Sequence, residues 1–199
     1  FKPLEHGVDI SIHAATKYPA GHSDVLLGTV SANEACWERL HEGFVTLGCC
    51  AGPDDVYQVL RGLRTMGVRL EHHRRSALEV ATWLEAQPGV ARVLHPALPS
   101  HPDHALWRRD FGGSSGVFSI VLAGGGQKEQ HAFLDALTIF GLGYSWGGYE
   151  SLAVPVFLGD RVVAKASEEG PVIRLQIGLE DVADLKADLS RGLAAAAAA

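Results

Sequence analysis

A long apolar pattern with helical spacing occupies the middle of this 199-residue sequence. It begins at Gly52-Pro53-Asp54-Asp55, where a proline and two acidic residues favour the first turn of a helix. Apolar residues then recur every three or four positions, at Val56, Val59, Leu60, Leu63, Met66, Leu70, Ala77, Val80, Ala81 and Leu84. This spacing predicts one long helix, with Gly62 and Gly67 as the points where it could bend.

Strand-like segments lie on both sides of this helix. Before it, residues 8–12 and 25–31 are typical of short strands, and residues 33–43 are typical of a helix. After it come predicted strands at 90–94, 117–122, 140–146 and 172–177, a loop at 97–104, and helices at 129–137 and from Glu180 onward. This order predicts a mixed α/β fold.

The character of the sequence changes within the long helix. The first fifty residues are rich in loops and glycine, unlike the rest. We therefore predict one domain at 1–60, a second at 61–193, and an alanine-rich helical tail without function at 194–199. Because the residues after Phe1 already resemble the interior of a domain, we expect the chain to be part of a longer protein.

Charge and composition exclude several classes of function. The net charge is −6 and the isoelectric point is about 5.9, so we expect no nucleic acid partner. Neither a membrane-spanning run nor a signal peptide is evident in the sequence. The three cysteines, Cys36, Cys49 and Cys50, are expected to be reduced thiols in the cytoplasm.

Lys17 is the leading candidate for chemistry. It follows a predicted strand, two alanines and Thr16, and it opens a loop that contains glycine. Small neighbours allow a planar ligand to approach, and a lysine in partly apolar surroundings becomes a nucleophile more easily. Thr16 offers a hydroxyl donor for a phosphate. Taken alone, the pattern is more typical of a solvated surface lysine.

Two further segments carry candidate residues. Residues 144–152 read Tyr-Ser-Trp-Gly-Gly-Tyr-Glu-Ser-Leu, which alone would be typical of a turn and a strand with a core aromatic. Arg174 alternates with Ile173 and Leu175 on a predicted strand, so its side chain should point away from theirs. A guanidinium presents two parallel donors that match a carboxylate, although a strand arginine is more often simply solvated.

The segment 9–24, with Thr-Lys-Tyr at 16–18 and Gly-His-Ser-Asp at 21–24, resembles the cofactor-lysine signature of the Cys/Met-metabolism family of pyridoxal-phosphate enzymes. The segments around residues 144–152 and Arg174 resemble later motifs of that family and come in the family's order. The Tyr-Ser-Trp at 144–146 resembles the β-cleaving lyases of the family. Ala14 and Pro19 depart from its usual pattern.

This resemblance implies part of the aspartate aminotransferase-like architecture, fold type I. Residues 1–60 would be the end of the large cofactor domain, and 61–193 would be the small C-terminal α/β domain. Pyridoxal 5'-phosphate would be attached to Lys17, with Thr16 as a further cofactor-binding residue. Arg174 would bind the substrate's α-carboxylate, and Tyr144, Ser145 and Trp146 would line the substrate side. No metal is expected.

The implied reaction is carbon–sulfur β-cleavage of L-cystathionine to homocysteine, pyruvate and ammonia, a step of methionine biosynthesis and sulfur amino-acid metabolism. Members of the family are usually homotetramers, so we expect self-association. The family's ring-stacking tyrosine, the aspartate facing the pyridine nitrogen and the glycine-rich phosphate turn precede the region matched here. We therefore expect the chain alone to have little or no lyase activity.

Several alternatives stay open. A γ-lyase or γ-synthase of the same family would share the lysine and the arginine, and a catalytically incomplete chain could serve in subunit packing. A plain α/β binding domain would require the three motifs to coincide in order by chance. The pairs His72-His73 and His101/His104 lack a ligand framework, so we expect surface histidines there rather than a metal site.

Overall fold

The computed structural model describes residues 1–159, 161–163 and 170–199, and these form two compact units. The units are Phe1–Gly67 and Val68–Ala199, so the division falls inside the long central helix. The predicted domain ranges, 1–60 and 61–193, stay predictions. In the described part of the chain, no helix has both the length and the apolar character needed to cross a membrane.

A two-stranded antiparallel sheet organises the first unit. Its elements are a 3-10 turn at Pro3–His6, strands β1 (Ile10–Ala14) and β2 (Gly28–Ala32), helix α1 (Glu34–Thr46) and the beginning of helix α2 (Pro53–Glu85). The strands pair from Ile10 opposite Ala32 to Ala14 opposite Gly28. Its buried core is small and consists of Ala15, Ala20, Val25 and Val59.

The second unit contains a five-stranded sheet in the order β3-β4-β7-β6-β5. Its strands are β3 (Val90–Leu94), β4 (Val117–Leu122), β5 (Gly141–Leu142), β6 (Leu152–Val156) and β7 (Val172–Gln176). Its helices, besides the rest of α2, are α3 (His104–Asp110), α4 (Gln127–Asp135) and α5 (Val182–Ala198). All neighbouring strands are antiparallel except β5 and β6, which are parallel.

One face of this sheet carries the main core. Cross-strand pairs Phe118–Leu175 and Ile120–Ile173 lie on that face and are buried. The helices complete the core with Ala77, Val80, Ala81 and Leu84 from α2, Phe133 from α4, and Leu185 and Leu189 from α5. Since side chains alternate along a strand, Arg174 lies on the opposite face, as predicted.

The sequence predicted several elements well and missed others of similar length. The strand at 90–94 and the strand at 117–122 are confirmed, and α2 runs unbroken through both of its predicted bend points. The strand predicted at 140–146 shrinks to Gly141–Leu142, because the chain leaves the sheet and turns at Gly147, where φ is +84°. Helix α3 and strand β6 were missed; β6 contains Pro155, which is untypical of an inner strand.

The prediction of surface histidines is wrong for His73. Its side chain is fully buried on α2, and its Nδ1 donates to the carbonyl oxygen of Ile177 at 2.7 Å. Neighbouring positions on a helix diverge by about 100°, so His73 lies on the core side with Ala77 and Val80 while His72 is only partly buried. Burial lowers the pKa of His73, although the Ile177 carbonyl opposes the shift.

Candidate active site

Lys17 lies in a tight turn that follows β1 directly. Its backbone N–H donates to the carbonyl oxygen of Ala14 at 3.0 Å, and its own carbonyl accepts from the N–H of Gly21 at 2.8 Å. Gly21 has a φ of +75°, a conformation that glycine adopts without steric cost. The main chain is therefore fixed on both sides of Lys17, whose side chain is partly buried.

Helix α2 approaches this turn backbone to backbone at Gly62. A Cβ atom at Gly62 would lie 2.1 Å from the carbonyl oxygen of Ala20 and 2.5 Å from that of Pro19. Beneath the turn, Ala15 is fully buried, and its carbonyl accepts from the N–H of Ala20 at 2.9 Å. Gly62, predicted as a bend point, instead allows the helix to hold the lysine turn in place.

Thr16 is bonded to the chain that returns toward β2. Its hydroxyl accepts from the N–H of Leu27 at 3.0 Å and donates to the Leu27 carbonyl oxygen at 3.3 Å. A hydroxyl has one proton to donate, so a donor bond to a phosphate would have to replace the bond to Leu27. The cofactor-binding role of Thr16 stays a prediction.

Arg174 lies in the middle of β7, opposite Ser119 of β4 and Val154 of β6. Its Nη2 donates to the carbonyl oxygen of Ser145 at 3.3 Å, with a longer contact of 3.5 Å to that of Gly143. The structure thus brings Arg174 and Ser145 together across 29 residues of sequence.

The Trp146 ring lies next to the guanidinium group of Arg174. The Arg174 guanidinium carbon lies 5.5 Å from the centroid of the Trp146 ring, within the range of a cation–π interaction. Tyr144 belongs to the same loop, but its side chain is 73% exposed, compared with 36% for Trp146. Of the three predicted loop residues, Ser145 and Trp146 contact Arg174, and Tyr144 faces solvent.

Asp188 anchors the chain that enters this loop, a role that the sequence did not predict. Its fully buried carboxylate accepts the backbone N–H groups of Thr138, Ile139 and Phe140 at 2.9, 2.8 and 3.0 Å. It also accepts the Thr138 hydroxyl at 3.1 Å and pairs with Arg191. Burial alone would raise the pKa of Asp188, but these hydrogen bonds outweigh burial and leave the pKa below its ordinary value.

Glu180 anchors the chain that leaves the loop. One of its oxygens accepts the N–H of Ser151 at 2.7 Å, and the other accepts the Ser151 hydroxyl at 2.7 Å. The same hydroxyl accepts the N–H of Gly178 at 2.8 Å. A Cβ at Gly178 would lie 2.3 Å from the carbonyl oxygen of Tyr149, so the backbone segments at Gly178 and Tyr149 are in close contact.

A sequence signal for Asp188 did exist. The residue falls between Leu185 and Leu189, on the buried face of α5. An acidic residue at a core position is rarely left unpaired, so it marks a set of donors elsewhere in the fold. The donors themselves lie 48 to 50 residues away in sequence and could not be identified from it.

The predicted site residues divide between the two units. Lys17 and Thr16 belong to the first unit, while Tyr144, Ser145, Trp146 and Arg174 belong to the second. The pocket that Lys17 and Arg174 were expected to share stays a prediction. Within the described ranges, no cluster of three or more His, Cys, Asp or Glu side chains is arranged to hold a metal ion.

Comparison with known proteins identifies close relatives. A family model described as Cys/Met metabolism PLP-dependent enzyme matches residues 1–194. A Rhizobium johnstonii protein, named provisionally as a cystathionine beta-lyase, is 69% identical over 202 residues, which cover 100% of this chain and 51% of its own length. Cystathionine beta-lyase MetC of Escherichia coli is 50% identical over 199 residues, or 98% of this chain and 50% of its own.

A solved structure has the same fold. The crystal structure of cystathionine gamma synthase from Xanthomonas oryzae pv. oryzae in complex with cystathionine superposes with a TM-score of 0.88 at 37% identity. The match covers 99% of this chain and 52% of that one, and it confirms the expected fold type I architecture. The chain spans about half the length of the curated relatives it matches.

Proposed function

The chain belongs to the Cys/Met metabolism family of PLP-dependent enzymes, and we propose that it supplies the cofactor lysine and the substrate-binding arginine of a carbon–sulfur β-lyase acting on L-cystathionine. The observation that carries this proposal is the contact of Ser145 and Trp146 with Arg174. A cation suited to an amino-acid carboxylate thereby lies beside the loop whose sequence resembles the β-cleaving members.

Pyridoxal phosphate is the cofactor of this family, and the Lys17 turn fits it. Lys17 offers a primary amine for the cofactor's aldehyde, on a backbone fixed from both sides. The neighbouring Ala14 is exposed and carries only a methyl group, so it leaves room for a planar ring. When bound, pyridoxal phosphate supplies a ring that withdraws electrons from the substrate's Cα.

Lys17 is the group that moves the proton in the proposed reaction. Its amine takes the proton from the Cα atom of cystathionine and delivers it to the sulfur as the Cβ–S bond breaks. Over the whole reaction, one cystathionine and one water give homocysteine, pyruvate and ammonia. The lysine returns to its starting state, so it acts in turn as base and acid.

Arg174 orients the substrate. Two parallel N–H groups of a guanidinium match the two oxygens of a carboxylate, which fixes direction as well as position. The Ser145 carbonyl and the Trp146 ring hold the guanidinium in place before substrate arrives. A fixed carboxylate restricts rotation about Cα and favours the orientation in which its proton can be removed.

The test is product analysis in the assembled enzyme, meaning this chain together with the polypeptide that supplies the other half of the family's length. With L-cystathionine as substrate, β-cleavage gives pyruvate, whereas a γ-lyase gives 2-oxobutyrate. We expect pyruvate, together with a visible absorbance band from the cofactor bound to Lys17. If 2-oxobutyrate is the main product, the β-lyase assignment is wrong and the γ-cleaving alternative is correct.

Subunit packing is the competing role, and one observation favours it. Large apolar side chains of the first unit are highly exposed, with Ile12 at 79%, Leu26 at 85% and Leu47 at 79%. We include a cytoplasmic homotetramer in the proposal, with the chain alone inactive. An assembled enzyme that oligomerises without cofactor absorbance or turnover would favour packing alone, and substantial pyruvate release by the 199-residue chain would contradict its inactivity.

A further inference from the structure

We propose that Asp188 and Glu180 are positioning residues for substrate recognition. They fix the two ends of the 143–150 loop, so that Ser145 and Trp146 stay against Arg174. This inference rests on the proposed function, in which Arg174 binds the substrate's carboxylate. It adds two residues to which the family motifs assigned no role.

Strand pairing alone holds this loop weakly. Strand β5 has only two residues, which pair with Leu152 and Ala153 of β6. Nine residues then connect the two strands, and the Tyr144 side chain within them is largely exposed. A loop that follows so short a strand pair opens easily unless its ends are anchored by other contacts.

Asp188 provides the anchor at the entrance. Three consecutive backbone N–H groups, from Thr138 to Phe140, converge on its two oxygens, immediately before β5 begins. Consecutive N–H groups can reach one carboxylate only if the chain curves around it, so these bonds fix the direction in which the chain enters β5. Charge-assisted bonds of this kind are shorter and stronger than neutral ones.

Glu180 provides the anchor at the exit. It accepts both the N–H and the hydroxyl of Ser151, and that hydroxyl accepts the N–H of Gly178. The Leu179 N–H adds a bond to the carbonyl oxygen of Tyr149 at 2.8 Å. The last residues of the loop are thereby joined to the chain that continues from β7.

A single continuous stretch of chain supplies the cation and both anchors. Residues 174 to 188 run from Arg174 on β7, through Glu180, to Asp188 on α5. The loop is therefore positioned relative to the same stretch that carries the guanidinium it contacts. Loosening either end should let Ser145 and Trp146 drift from Arg174 and weaken carboxylate binding, while cofactor attachment at Lys17 is unaffected.

The experiment compares Asp188→Asn and Glu180→Gln in the assembled enzyme. Both variants keep the shape of the side chain and remove its charge. Asp184→Asn, exposed on α5, and Asp181→Asn, which keeps the N-terminal cap of α5, are the matched controls. The readouts are kcat and KM for L-cystathionine, the cofactor's visible absorbance, and hydrogen exchange of the loop amides.

We expect KM to rise about tenfold in each variant, as for the loss of one charge-assisted hydrogen bond, with kcat changed less than KM. Loop amides should exchange faster, the absorbance should stay the same, and both controls should behave like wild type. If a carboxylate variant fails to fold, Ser151→Ala removes only the hydroxyl between Glu180 and Gly178 and should raise KM in the same direction.

Wild-type KM and loop exchange in both variants would overturn the inference, as would a loss of absorbance or a fall in kcat alone. Arg174→Ala separates this failure from that of the proposed function. If Arg174→Ala raises KM while the carboxylate variants do not, the proposed function stands and the positioning role is wrong. If Arg174→Ala leaves KM unchanged, the proposed function fails and the inference fails with it.

Discussion

The Lys17 turn and the Arg174 cluster are both candidate parts of an active site, yet they are held in different ways. Around Lys17, backbone hydrogen bonds join near neighbours such as Ala14 and Gly21, and Thr16 bonds to Leu27, 11 positions along the chain. Around Arg174, the loop contacts span 29 to 31 residues, and the Asp188 bonds span 48 to 50. The lysine turn is held by short-range backbone bonds and the close approach of α2 at Gly62, whereas the Arg174 loop is held by side chains from distant parts of the sequence.

Because of this difference, we expect the two regions to respond differently to substitutions and to pH. The Lys17 turn needs the backbone bonds on either side of Lys17 and a residue without a side chain at Gly62. The Arg174 loop depends on the Asp188 carboxylate, whose hydrogen bonds outweigh burial and lower its pKa, so charge and pH should affect this loop. Substitutions in each region can test whether this division is real.

The largest effect should come from Lys17→Ala. We expect kcat in the assembled enzyme to fall by roughly a thousandfold or more, because the proton carrier and the cofactor's covalent partner are both lost. The unfolding midpoint should barely change, since the turn is held by its backbone. Steady-state kinetics and thermal denaturation check this, with exposed Lys2→Ala as the control. A large loss of stability would show that the side chain is structural.

The next largest effect should come from Gly62→Ala. The added Cβ would clash with the carbonyl oxygens of Ala20 and Pro19, so we expect unfolding to become easier by about 3 kcal/mol. Gly67→Ala is the matched control on the same helix, because a Cβ there meets nothing within 4 Å. It should stabilise by up to about 1 kcal/mol through helix propensity. Equal effects of the two substitutions in urea unfolding would contradict the close approach.

Acid should weaken the anchoring of the Arg174 loop by Asp188. The folded-state pKa of Asp188 lies below its ordinary value, so its stabilising effect is complete above about pH 4 and is lost as pH falls through the folded pKa. Asp188→Asn should lower the unfolding free energy at neutral pH by roughly 2 kcal/mol and flatten its acid dependence. Urea unfolding at pH 7 and pH 3 measures both. A wild-type pH dependence in the variant would rule out this role of the carboxylate.

The smallest effect should come from Trp146. Replacing the ring with leucine removes the cation–π contact with Arg174, worth about 1 kcal/mol, so KM should rise roughly fivefold. Trp146→Phe keeps an aromatic face and should change KM by less. If Trp146→Phe weakens binding as much as Trp146→Leu, the ring acts through its shape and not through its interaction with the guanidinium.

Much of the fold could be predicted from the sequence. The long α2 helix and the strands at 90–94 and 117–122 have strong, regular apolar patterns, so local propensity and packing agree there. The failures in the sheet are elements whose extent depends on their partner strands. Strand β6, with Pro155, is defined by its pairing with β7 rather than by its own pattern, and β5 is only as long as its pairing with β6.

The candidate site shows the same division. Lys17 and Arg174 could be identified from motifs and from strand alternation, and the alternation of Arg174 is confirmed. The roles of Asp188 and Glu180 could not, because the loop groups that they bind lie 29 to 50 residues away and include backbone groups without a sequence signature. The prediction that His73 is a surface residue was wrong for a related reason. Its burial depends on which side of α2 faces the sheet.

The sequence by itself determined the family, the mixed α/β class and the presence of a glycine-containing loop at Lys17. These follow from motifs, periodicity and small residues whose effects act over a few positions. Only the tertiary structure decided that Ser145 and Trp146 contact Arg174 and that two carboxylates hold their loop. Those contacts join residues that are distant along the chain, and their energy is realised only when the folded sheet and α5 bring the partners within hydrogen-bond distance.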